Sequence, residues 1–187
     1  MNTNYNEQTV LEHIRFNERL ALSYRDAYKT NSVRNHSIYE AWKFAKGATY
    51  WSPYFGDEMI DLNKSPVSVA DSAAFEALCY SIKFPDWGII DFEYWAAPDG
   101  AAWKTHYGGH TKDGVFKDFY AYSFIKTNAD FEITHWETHV NAAYDDFLDI
   151  AIGTHGPFLD KGGTSVYMQA VNKTLAEAGI DTDMFKK

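Results

Sequence analysis

From Trp87 onward the sequence stops recurring at helical spacing and starts to alternate, and this change of period constrains the fold more than any other feature. Four stretches, Gly88 to Ala97, Ala101 to His110, Val115 to Lys126 and Phe131 to Val140, carry the period-two pattern of strands. Between them lie Pro98-Asp99-Gly100, Lys112-Asp113-Gly114 and Asn128-Ala129-Asp130, all turn-forming. The four are therefore expected to fold as an antiparallel meander of hairpins.

Before Trp87 the spacing predicts helices over Glu7 to Lys29, over Ser37 to Lys46 with Gly47 as its cap, and over Val69 to Lys83, ended by Pro85. Ala48 to Phe55 reads as a short or edge strand because Pro53 lacks a backbone donor, and Gly56 to Ser68 reads as a loop. After the meander come a loop with glycines at Gly153 to Gly163 and a helix over Ser165 to Ala178, capped by Gly179. Helices followed by an antiparallel sheet make an α+β fold with the helices on one sheet face. At 187 residues, 45% of them hydrophobic, the chain suffices for one domain with a sizeable core and is too short for two.

A net charge of −9 argues against nucleic acid and anionic membrane as partners, since both need clustered cations. No apolar run approaches the roughly 20 residues that span a bilayer. The single cysteine, Cys79, has no internal disulfide partner, and no segment has a signal-peptide pattern, so a cytoplasmic location is expected.

In the last strand, unbroken alternation would place Phe131, Ile133, His135, Glu137 and His139 on one face and Trp136 on the other. A His, Glu, His row lining a cavity could move protons; facing water it would be an ordinary polar strand. His106 and His110 share a face of the neighbouring region, and imidazole titrates near neutrality. His-x-x-x-His is a metal signature on helices, but on a strand it sets the two rings about 13 Å apart, so one pair cannot share an ion. No metal and no cofactor are expected. Tyr50, Trp51, Tyr54, Trp103, Tyr120 and Tyr122 fall where they could line a pocket for a flat hydrophobic ligand, and Lys104 could serve a developing negative charge.

The strings EAWKFAKGATYWSPYFGD, IKFPDW, WKTHYGGHTKDG and ITHWETHVN, in this order over residues 5 to 141, resemble the nuclear transport factor 2 like superfamily and, within it, the SnoaL-like polyketide cyclase group. The resemblance implies a cone-shaped, curved antiparallel sheet wrapped around N-terminal helices, a cystatin-like α+β barrel with a deep apolar pocket. Residues 142 to 187 would be a C-terminal helical extension that closes the pocket or stabilises a dimer. In the SnoaL-like cyclases an aspartate directly after a Trp in the last long strand is acid and base, and Glu137 after Trp136 stands there. A histidine after a Gly-Thr pair is the other recurrent residue, and His110 follows Gly108-Gly109. The superfamily's limonene epoxide hydrolases use a Tyr and an Asn where Tyr50 and Ser52 could stand. Lys104 and His106 replace the Arg and Asp of that group, which disfavours epoxide hydrolysis.

These readings converge on a cofactor-independent lyase, isomerase or cyclase, homodimeric, acting on a hydrophobic small molecule. Glu137 would be the base, His110, His106 or Tyr50 the acid or oxyanion donor, and Trp51, Tyr54, Trp103, Lys104, Tyr120, Tyr122, His135 and His139 would contact substrate. The alternatives are a non-catalytic binding or assembly module, or a metal-dependent variant using the histidines.

Overall fold

In the computed structural model, which describes residues 7–28, 42–63, 69–158 and 161–181, the period change at Trp87 marks the start of the long strands. The helices are α1 (Glu7–Ala27), α2 (Val69–Lys83), α3 (Ala143–Ile152) and α4 (Thr164–Glu177). The strands are β1 (Phe44–Ser52), β2 (Gly56–Asp61), β3 (Gly88–Ala97), β4 (Gly100–His110), β5 (Phe116–Thr127) and β6 (Ile133–Val140). They make one sheet in the order β2-β1-β6-β5-β4-β3. β3 to β6 form the expected antiparallel meander, while β1 joins β6 in parallel, so the sheet is mixed. The architecture is the expected α+β, a curved sheet with helices on one face.

Bulges between Tyr50 and Ser52, between Ile89 and Asp91, and where β6 enters the sheet opposite Lys126 and Thr127 bend the strands over the helices. The inward row of β4 and β5 is Ala101, Trp103, Tyr107, Phe119, Ala121 and Ile125, all buried. Leu20, Ala21 and Tyr24 of α1 pack on it, with Tyr24 centred 4.9 Å from Trp103. Phe84, Phe147, Leu148, Val171 and Leu175 fill the space among α2, α3 and α4 and belong to the same core.

Four expectations are corrected. The helix over Ser37 to Lys46 does not form over its last residues, because Phe44 to Lys46 already belong to β1; positions 37–41 lie outside the described residues. β1 is not an edge strand: it lies between β2 and β6, and Pro53 falls in the turn after it. Residues 56–61, read as loop, pair with β1 as an edge strand rich in acidic residues. The segment after Asn141 contains, ahead of the expected loop at Gly153 to Gly163, a helix that was not expected. Tyr144, Phe147, Leu148, Ala151 and Ile152 of α3 are buried along one stripe, and Gly153 ends it in the left-handed conformation, φ 70°, its N–H donating to the Asp149 carbonyl. Far from an appendage, α3 and α4 complete the core. Among the described residues no helix is long and apolar enough to cross a membrane.

Candidate functional site

The last strand does not keep unbroken alternation. Phe131 turns at φ 59° and Asn128 accepts the backbone N–H groups of Asp130 and Glu132, which closes a tight turn. Ile133 then pairs with Thr127 while His135 pairs with Lys126, so Thr134 is the extra residue of a bulge. Ile133, Trp136 and Thr138 consequently share the inner face, and His135, Glu137 and His139 the outer one. This overturns the expectation that Glu137 looks into the cone.

The predicted His106, His110 and Lys104 lie on the same outer face. His106 Nε2 sits 2.7 Å from Asp118 and stacks on Tyr120 at 4.3 Å. His110 Nδ1 lies 2.8 Å from Asp86 and is exposed. Lys104 pairs with Glu93 at 2.9 Å and lies over the Tyr120 ring. Glu137 bonds His139 and is 3.8 Å from His135, whose Nδ1 meets Thr49 Oγ1 at 2.8 Å. Trp51 packs edge-on against His139, and Tyr122 pairs with His139 across the strands. Glu137, His106 and His110 thus form separate pairs rather than converging on one enclosed volume. Among the described residues no three His, Cys, Asp or Glu side chains form a metal ligand set.

The interior holds a different constellation. Glu76 on α2 accepts a hydrogen bond from the Tyr167 phenol of α4 at 2.8 Å. Tyr167 and Tyr80 oxygens are 2.6 Å apart, and so are those of Tyr80 and Tyr144. Desolvation pushes the Glu76 carboxyl up to about 7, against the lowering effect of the Tyr167 bond. Burial first, and the Glu76 charge second, hold Tyr144 and Tyr167 well above the usual phenol range, and the same two causes act on Tyr80. These phenols are therefore fixed as O–H groups near neutral pH. The Glu76 carboxyl is desolvated although the residue as a whole is only half-buried.

Of the predicted site residues, Tyr50 belongs to this interior. Its ring meets Trp136 edge-on at 5.6 Å, and burial with the Glu76 charge raises its pKa. Trp103 is a buried wall residue, 1% exposed, packed on Tyr24 and Trp42. Tyr54, in the turn after β1, bonds Asp145, accepts the Gly156 N–H at 2.8 Å and packs 5.1 Å from the Tyr144 ring.

No family model matches the sequence, and no curated protein matches it. Solved structures do. One is a phenazine biosynthesis-related protein from Pseudomonas aeruginosa, 15% identical over 78% of this chain and 90% of that one, TM-score 0.49. Another is a candidate SnoaL-like polyketide cyclase from Jannaschia sp. CCS1, 10% identical over 79% and 97%, TM-score 0.49. A third is a protein with a ketosteroid isomerase-like fold from Catenulispora acidiphila, 14% identical over 72% and 92%, TM-score 0.46. The chain is similar to SnoaL-like structures. A likeness of this degree carries no chemistry from one protein to another.

Sequence reasoning passed over Glu76. Its signal was a carboxylate one turn before Cys79 and Tyr80, set amid Ala74, Phe75, Ala77 and Leu78 in a helix whose other acidic residue is Asp71. A charge at the margin of an apolar stripe reads as solvated until the partners that cover it are known, and the covering residue, Tyr167, lies 91 positions away.

Proposed function

We propose that the protein is a cofactor-independent acid–base enzyme of the lyase, isomerase or cyclase type. It takes a hydrophobic small molecule between Glu76 and the aromatic side chains of the inner sheet face. Glu76 exchanges a proton with carbon, and Tyr50, held as a phenol, donates to the oxygen on which negative charge develops. The observation that carries this reading is the Glu76 carboxyl, desolvated among phenols with its pKa raised to about 7, where a general base and its conjugate acid are both available. Aromatic walls at Tyr24, Trp42, Trp103 and Trp136 support a flat apolar ligand.

The test is solvent-deuterium uptake at the α-carbon of a panel of cyclic ketones, read by mass spectrometry. Wild-type protein is expected to accelerate exchange for at least one member and the Glu76→Gln protein not to. Equal exchange by both would remove Glu76 from the chemistry.

The rival reading, a non-catalytic binding or assembly module, draws on the outer face, where Ile90, Trp95, Tyr122 and Phe124 are exposed beside the histidine pairs. Within the enzyme reading, we propose that this face pairs two copies of the chain. Sedimentation at micromolar concentration tests it, with Trp95→Lys expected to shift the protein to monomer.

A further inference from the structure

Glu76, Tyr167, Tyr80 and Tyr144 come from three helices and form one continuous line of hydrogen bonds at 2.8, 2.6 and 2.6 Å. Tyr80, Tyr144 and Tyr167 are each at most 3% exposed, so water does not compete along the line. Each phenol has one hydrogen to give. A carboxylate can only accept, so ionised Glu76 takes the Tyr167 hydrogen. The Tyr167 oxygen is then left to accept from Tyr80, and the Tyr80 oxygen from Tyr144. The far end of the line then shows an acceptor, the Tyr144 oxygen having committed its hydrogen inward.

We propose that Glu76 sets the direction of this line, so that Tyr144 changes from acceptor to donor at its free side when Glu76 takes up a proton. Protonated Glu76 gives its O–H to Tyr167, Tyr167 turns to Tyr80, Tyr80 turns to Tyr144, and the Tyr144 hydrogen is released for a new partner. One proton enters at the carboxyl group; the three hydroxyls only rotate about their C–O bonds, and no proton passes between them. The groups that feel the Glu76 charge are Tyr24 of α1, Tyr50 of β1, Cys79 and Tyr80 of α2, Tyr107 of β4, Tyr144 of α3 and Tyr167 of α4, all neutral near pH 7. Nothing else among them titrates in the same range. Tyr144, 5.1 Å ring to ring from Tyr54, is thereby told the charge of a carboxyl group two phenols away. Tyr80 and Tyr167 act as positioning residues in this scheme.

The inference rests on Glu76 being the proton-exchanging group but is tested without activity. Tyrosine labelled at Cζ with 13C reports whether its oxygen donates or accepts. Between pH 5 and 9 the Tyr167, Tyr80 and Tyr144 signals are expected to move together with one midpoint, and none of them to move in the Glu76→Gln protein. In Tyr80→Phe, Tyr167 should still titrate and Tyr144 should not. A Tyr144 signal that stays still in wild type, or one that titrates in Tyr80→Phe, overturns the proposal. Should Tyr80→Phe fail to fold, the comparison of wild type with Glu76→Gln decides alone. A titrating line with unimpaired deuterium exchange in Glu76→Gln would sink the catalytic reading and leave the line intact.

Discussion

Trp136 and Glu137 are neighbours in the chain and lie on opposite faces of the sheet, the indole against Tyr50 and Trp42 and the carboxylate outside with His139 and His135. Trp136→Ala is expected to cost about 3–5 kcal/mol of stability, the usual range for emptying a buried aromatic site. Glu137→Gln should cost under about 1 kcal/mol, as for a partly exposed ion pair, and leave deuterium exchange at the wild-type rate. Urea unfolding and the exchange assay check both.

Glu76 makes stability depend on pH. Its folded pKa, about 7, lies above the 4.5 of a free glutamate, so between these values the folded protein binds more protons than the unfolded chain. Stability contributed by the neutral carboxyl is fully present below pH 4.5 and falls as pH rises toward 7, by up to about 3 kcal/mol. Urea midpoints at pH 5 and pH 8 should differ in wild type by more than in Glu76→Gln, which keeps an acceptor for Tyr167 and has no charge to lose.

Gly153 ends α3 with a positive φ, and a Cβ built there meets nothing within 4 Å. Gly153→Ala should therefore show the backbone cost alone, about 1 kcal/mol, which for a chain of this size lowers the melting temperature by about 2–4 °C.

Phe147 is fully buried against Phe84, ring centroids 4.5 Å apart, and beside Phe119. Phe147→Ala is expected to destabilise by about 3–5 kcal/mol. A chain ended after Asn141 would leave Phe84 and Phe119 uncovered and should show no cooperative thermal transition by circular dichroism.

The meander and α2 were legible because each depends on local signals: turn triplets between alternating stretches, and a helical stripe ended by Pro85. β2 was not, because Gly56 to Asp61 carries acidic residues and no alternation, and its pairing with β1 at the sheet edge makes the strand. α3 had a readable stripe that its Gly-containing flank obscured. The site was least legible. Its outer-face histidines looked functional by type, while Glu76 gains its chemistry from Tyr167, which only tertiary packing brings to it. Tyr50 was reached as a donor only through the family resemblance; in the structure it packs against Trp136 on the inner face.

The bulge at Thr134 works like a shifted reading frame. A strand is a two-letter message, inside and outside by turns, and one surplus residue makes the text before it useless for decoding the text after it. Ile133 and Trp136, an odd and an even position, are both inside; every inference carried from Phe131 across Thr134 therefore names the wrong face. The loss of Thr134 would leave both halves correctly framed, and so would the loss of His135, with Thr134 then taking the outward place opposite Lys126; the loss of both would turn an indole to water and a carboxylate into the core.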